Sequence, residues 1–229
     1  MKFVKQPTSL HLEKINFGSD KLPLRHGKLL PKTIRCIVCG PSNCGKTNLV
    51  IGLLLHPKGL HFRNVYVYSK TLYQPKYIFL EKVMSLVPGV SYFKYHDNEE
   101  VVSPDNASQN SVIIFDDVAC ENQNNIRDYF AMGRHKNIDC FYLNQTYSKV
   151  PKQLIRDNAN LIILFKQDDI NLHHVYDEHV NTDMTWLQFR EMCSSVWKDS
   201  FSYLVINKDC QKNNGCYRKK FDTFIMVDD

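Results

Sequence analysis

Eight residues, Gly40-Pro41-Ser42-Asn43-Cys44-Gly45-Lys46-Thr47, carry the densest chemical signal in the chain. They fit the pattern G-x-x-x-x-G-K-[ST] at every fixed position. Small residues in such a turn let backbone N–H groups point inward. A helix starting there adds partial positive charge, so the turn can cradle phosphate. In that chemistry Lys46 reaches the β- and γ-phosphates and the Thr47 hydroxyl ligates Mg²⁺. The nucleotide-binding set then runs from Gly40 through Asn48, with ATP and Mg²⁺ as the implied ligands.

A second constellation lies at Ser111-Val112-Ile113-Ile114-Phe115-Asp116-Asp117. Four consecutive apolar residues read as a strand buried on both faces, as parallel sheets require. Two carboxylates at its C-terminal end stand where open α/β sheets bind ligands. Beside a phosphate loop this is the Walker B position: Asp116 would hold the metal through water, and Asp117 could polarise an attacking water. Two solvated aspartates starting a turn are the bland alternative. A third polar site follows at Asn144-Gln145-Thr146, where another buried strand, Ile138 to Leu143, ends. An amide there can sense a γ-phosphate or cap the following turn, and both readings stay open for Asn144.

These residues need a scaffold that brings strand ends to one edge. Thr33 to Cys39 reads as a buried strand and Asn48 to Leu55 as an apolar helix, which is the context a phosphate loop requires. Arg63 to Ser69 is a second strand. Gln74 to Val87 has helical spacing, with Ile78, Phe79, Val83, Leu86 and Val87 as its apolar face, and Pro88-Gly89 stops it. Val90 to Tyr95 is a short strand, Asn98 to Asn110 an exposed loop, and Glu121 to His135 a helix with Ile126, Tyr129, Phe130 and Gly133 inward. Pro151 to Asp157 reads as a short helix, Asn160 to Phe165 as a further core strand, and Ile170 to Glu178 as a helix. Thr185-x-x-Gln188 is a capping box opening a helix that points Trp186, Phe189, Met192 and Val196 inward. Ser202 to Asn207 and Phe221 to Ile225 are late strands, with a hairpin as one arrangement. The expected class is α/β, a phosphate-loop NTPase with a mostly parallel central sheet and helices on both faces.

Composition sets the bounds. The 229 residues suit one α/β domain, residues 33–229, preceded by a proline-punctuated N-terminal arm, residues 1–32, that packs on the core or serves as a tail. A net charge of +5 is compatible with a nucleic-acid partner without requiring one. The apolar stretch Leu49 to Leu55 is too short to span a bilayer, and Met1 to Pro7 lacks a signal-peptide core, so the expectation is an intracellular protein with no membrane span. Eight cysteines include Cys36-x-x-Cys39, but no second pair stands at zinc spacing and His173, His174 and His179 match no ligand pattern. Buried free thiols are the better account.

The ordered blocks Gly40 to Thr47, Ile113 to Asp117, Gly133-Arg134-His135, Tyr142 to Tyr147 and Pro151 to Asn158 together resemble the genome-packaging ATPases of large eukaryotic DNA viruses and of Polinton/Maverick elements, the poxvirus enzyme included. These are FtsK/HerA-type DNA-translocating ATPases, and the resemblance covers roughly residues 30–210. It implies a pentameric or hexameric homo-oligomeric ring that pumps double-stranded DNA into a preformed capsid, docked on a capsid or portal-vertex protein. Host cytoplasm (the virus factory), nucleus or virion are the implied locations. It also implies Gln145 as the sensor and a trans-acting arginine finger, with Arg134 ranked before Arg156 because Asp157 could pair with the latter. Asp117 stands where many relatives carry glutamate, which leaves open whether it is the base or positions it. Candidate DNA contacts are Lys149 and Lys152, and the run Lys212 to Lys220 with Tyr217, Arg218 and Lys219. A solvated basic face is the alternative for both. Two other functions compete: a helicase-like NTPase on single strands, and a nucleotide-dependent assembly switch.

Overall fold

Largely apolar runs become the central strands of a single sheet whose members are two to seven residues long, and the segments between them cover its two faces. In the computed structural model, which describes residues 25–227, the strands are β1 (Arg35–Cys39), β2 (Asn64–Ser69), β3 (Ser91–Tyr95), β4 (Ser111–Asp116), β5 (Ile138–Asn144), β6 (Leu161–Leu164), β7 (Leu204–Asn207), β8 (Tyr217–Lys219) and β9 (Thr223–Phe224). The helices are α1 (Lys46–Leu55), α2 (Pro75–Met84), α3 (Asn124–Met132), α4 (Asp169–His179) and α5 (Trp186–Val196). The strand order is β3-β2-β4-β5-β1-β6-β7-β8-β9. The first six positions pair in parallel and the last three join antiparallel. Parallel neighbours require crossovers over the sheet faces, and the helices between the strands supply them. One core layer lies beneath α1 and α2, around Val50, Leu54, Tyr77 and Leu80. The other lies beneath α3, α4 and α5, around Ile126, Tyr129, Val175 and Phe189. The α/β class with a mostly parallel sheet is the fold observed.

Strand order decides what meets at the C-terminal edge. β5 lies between β1 and β4, pairing Cys39 with Asn144 on one side and Asp116 with Leu143 on the other. The ends of β1, β5 and β4 are therefore adjacent, and β2 adds Ser69 opposite Asp116.

Four local readings are corrected by the structure. On α2 the buried residues are Tyr77, Leu80 and Met84, while Ile78 and Phe79 are exposed; the helix ends at Met84, and Leu86 and Val87 beyond it are exposed. The segment Lys152–Arg156 is a wide turn, not a regular helix: Gln153 is extended at ψ 127 and Leu154 is left-handed at φ 67. The late strand over 221–225 shrinks to β9, and the unforeseen β8 stands between it and β7. The loop 98–110 is not wholly exposed, since Val101 and Ala107 are buried. The capping box on α5 is formed on both sides.

The arm expected over 1–32 lies largely outside the described residues. Residues 25–32 pack on the core: Asp139, fully buried in β5, meets Arg25 at 3.1 Å and His26 at 3.0 Å, and Leu30 is buried. Cys36, Cys39, Cys140, Cys193 and Cys216 are buried free thiols, whereas Cys44 and Cys210 are half-buried and Cys120 is exposed, so burial holds for only part of the expected set. Among the described residues no helix is long and apolar enough to cross a membrane.

Candidate active site

The loop after β1 turns tightly enough to need special backbone at two points. Gly45, the residue before α1, sits at φ 110, and Asn43 at φ 62, a value that asparagine tolerates. Gly40 needs closeness instead: a Cβ there would lie 2.6 Å from both Cys44 Sγ and Phe165 Cβ. Its N–H donates to the Asn144 carbonyl at 3.1 Å, tying the loop to the end of β5. The Lys46 ammonium donates to the Gly40 and Pro41 carbonyls, at 2.6 and 3.0 Å, and so lies across the loop's concave side.

A cleft of about 130 Å³ opens between this loop and the strand ends. Ser42, Lys46, Thr47, Asp116, Asp117 and Gln145 all line it. Thr47 Oγ1 donates to Asp116 Oδ2 at 3.2 Å, and the Tyr77 hydroxyl donates to the same oxygen. Burial pushes the Asp116 carboxyl above the ordinary carboxylate range, against the hydrogen bonds from Tyr77 and Thr47 and the nearby charge of Lys46. A hydroxyl and a buried carboxylate within reach of each other are hard oxygen donors of the kind Mg²⁺ takes, so the residues present fit that ion. Asp117 is exposed, left-handed at φ 58, and lines the same cleft directly after β4.

Asn144 and Gln145 divide the two roles left open for them. Asn144 is buried, its Oδ1 accepting the Gln145 N–H at 2.8 Å and its Nδ2 donating to the Thr146 carbonyl at 3.1 Å, so it caps its own turn. Gln145 is exposed at the cleft wall.

The two arginines part company. Arg134 is exposed in the turn Gly133–Lys136 before β5, its Nε 3.4 Å from His135 Nε2. Arg156 is buried, its Nη1 2.7 Å from Glu178 Oε1 and its guanidinium 5.3 Å from the Tyr147 ring centre. The Tyr147 hydroxyl completes the cluster with Glu178 at 2.9 Å and His179 at 2.6 Å. Arg156 thus has its structural ion pair, with Glu178 rather than Asp157. The basic run Lys212 to Lys220 also disperses. Arg218 is buried and donates to the Gly215 and Leu29 carbonyls, Tyr217 is buried and bonds Asp183, and Lys219 pairs with Asp199. Lys149 and Lys152 are exposed on the segment following β5.

Sequence reasoning missed the part played by the segment that runs from the end of β2 into the first turn of α2. Thr71, Gln74 and Lys76 line the cleft, and Tyr77 holds Asp116. The signal was positional: this segment follows a parallel strand at the edge where ligands bind.

Over residues 23–223 the chain matches the family described as Poxvirus A32 protein. Its fold is similar to that of the genome packaging NTPase B204 from Sulfolobus turreted icosahedral virus 2 in complex with ATP-gammaS. That likeness has 13% identity and a TM-score of 0.55, over 86% of this chain and 100% of that one. It is likewise similar to B204, the DNA-packaging ATPase from Sulfolobus turreted icosahedral virus, with 14% identity and a TM-score of 0.55, over 84% and 97%. At such identity the likeness is one of fold. No curated protein matches the chain in sequence.

Proposed function

The chain belongs to the poxvirus A32 protein family and is an ATPase of the phosphate-loop class, and we propose that it hydrolyses ATP to move duplex DNA into a preformed capsid. The observation that carries the hydrolysis is convergence. A loop cation, a hydroxyl, two carboxylates and an amide, drawn from the ends of β1, β4 and β5, share one small cleft. The B204 structures, one holding ATP-gammaS, support nucleotide binding in this fold.

The reaction follows from the placement. Backbone N–H groups of residues 42–47 and the Lys46 ammonium bind the phosphates and offset the charge that grows on them in the transition state. Mg²⁺ held by Thr47 and Asp116 would add charge neutralisation on the β- and γ-phosphate oxygens. Asp117 orients the attacking water and accepts its proton, or holds the group that does. Gln145 contacts the γ-phosphate, and its departure moves the segment that follows. That segment carries Lys149 and Lys152, the cations that grip the DNA backbone irrespective of sequence. An exposed guanidinium, Arg134, serves the neighbouring subunit's site in a ring. Lys76 adds positive charge to the wall of the cleft from α2. Capsid docking and an intracellular, virus-associated setting complete the reading.

The test is ATP hydrolysis with and without linear duplex DNA, for wild type and Lys46→Ala. Turnover raised by duplex and abolished by the substitution is expected. Stimulation by single strands alone would point to a helicase, and binding without turnover to a switch. Mass measurement with and without ATP and DNA gives the subunit number.

A further inference from the structure

Gly45 lines two cavities. One is the polar cleft; the other, about 580 Å³, runs along the outer side of α1 from Gly45 past Asn48 and Gly52. Its wall is aromatic. The Phe165 and Tyr203 ring centres lie 5.3 Å apart, and those of Tyr203 and Phe221 5.8 Å. Phe201 stands at the junction, 71% exposed, with its Cδ1 3.8 Å from where a Gly45 Cβ would be. Its backbone is left-handed at φ 57, a state that costs a bulky residue energy and that burial of the ring does not repay. The floor is open as well. Gly52 lies within α1, where glycine weakens a helix, and a Cβ there would meet nothing within 4 Å.

A triphosphate on this loop has a fixed direction. Its γ end faces Lys46, Asp116 and Gln145, while its α end rests on the loop backbone where α1 begins. Sugar and base therefore leave on the far side of Gly45, where the aromatic cavity starts. A planar base buries well in an apolar slot and stacks on an exposed ring. We infer that this cavity takes the nucleoside half of ATP, with the base on Phe201 and the open α1 surface at Gly52 as its floor. Asp222 and Lys220, also at the wall, offer an acceptor and a donor to the edge of the base. The assignment rests on the phosphate-loop reading proposed above.

Calorimetric titration of the full chain with ATP and with inorganic tripolyphosphate, each with Mg²⁺, separates the two. Wild type is expected to bind ATP at least about 10-fold more tightly than tripolyphosphate. Phe201→Ala, which removes an exposed ring, should lose about 10-fold in ATP affinity, the scale of one base-stacking contact. Gly52→Phe, which fills open space, should lose the remaining preference for ATP, while both variants keep their tripolyphosphate affinity. Unchanged ATP affinity in both variants overturns the inference and leaves the phosphate loop standing. So does a wild type that binds the two ligands equally. A wild type that binds neither overturns the phosphate-loop reading and the inference with it.

Discussion

The Tyr77 hydroxyl donates to Asp116 Oδ2, the same oxygen that the Thr47 hydroxyl reaches at 3.2 Å. Two elements far apart in sequence, α1 and α2, thus fix one carboxylate oxygen at the end of β4. Tyr77→Phe keeps the buried ring and removes one of the two donors. The expected cost is about 1 kcal/mol of stability, and several-fold in kcat as the carboxylate gains freedom, with KM for ATP little changed. Steady-state kinetics beside thermal melts check this; a KM effect with unaltered kcat would instead put Tyr77 in substrate binding.

The buried Asp116 carboxyl has its pKa raised, chiefly by desolvation. The fold therefore favours its protonated form. That contribution is present at low pH and is lost as pH rises through the folded-state value, so at neutral pH the ionised group costs stability. Asp116→Asn should raise the melting midpoint of the metal-free protein at pH 7 and abolish turnover. The advantage should shrink as pH falls toward the ordinary aspartate value of 3.8. An asparagine variant less stable than wild type at pH 7 would contradict the electrostatic account.

The cluster around Arg156 predicts a different pH response. His179 is held neutral, its pKa lowered to about 3 by burial, with Lys208 and Arg156 adding repulsion. A depressed histidine contributes stability above its unfolded value of 6.5 that is lost as pH falls toward 3. This one group can supply a slope of up to about 1.4 kcal/mol per pH unit in that window. His179→Gln should flatten the acid limb of a denaturation series. Arg156→Ala should cost about 3 kcal/mol by stranding Glu178, a loss read in urea midpoints.

Gly40 makes a steric prediction. Two atoms stand 2.6 Å from a new Cβ, one of them the Phe165 Cβ, which cannot swing away. Gly40→Ala should push the loop off β6 and weaken ATP binding about 10-fold or more, while far-ultraviolet dichroism stays unchanged. Cys44→Ser in the same background should recover little, because the Phe165 contact persists.

Much of this site was legible because parallel strands buried on both faces must be apolar, so polar residues at a strand end stand out, as Asp116 does on β4 and Asn144 with the adjoining Gln145 on β5. Asp116 and Gln145 were found that way, and the phosphate loop by its own backbone demands. The misreadings have physical causes. Over 74–87, Tyr77, Leu80 and Met84 compete with Ile78, Phe79, Val83 and Val87 at comparable helical spacing. The inward stripe is the one whose tyrosine meets Asp116, a contact no periodicity contains. β8 hid behind Arg218, whose guanidinium is buried because it donates hydrogen bonds to the Leu29 and Gly215 carbonyls. The turn at Lys152–Arg156 has a helix-forming composition, but its Arg156 is drawn to Glu178 on α4.

Arg134 is the exposed guanidinium of the two candidates, and a finger acting across a ring interface has a distinctive genetic behaviour. Lys46→Ala subunits lack a working site but retain the arginine; Arg134→Ala subunits retain the site but lack the arginine. Each alone should fall by about 10³-fold or more, the scale for loss of a finger or loop lysine. In an equal random mixture, a site works when an Arg134→Ala subunit is followed by a Lys46→Ala neighbour. Each condition is met half the time, so about a quarter of wild-type turnover should return if sites fire independently. Arg156→Ala in place of Arg134→Ala should restore nothing beyond its own activity, since its guanidinium is committed to Glu178 within its own chain. A mixture with Arg134→Ala that stays at the level of the separate variants would mean that Arg134 acts in its own subunit or not at all.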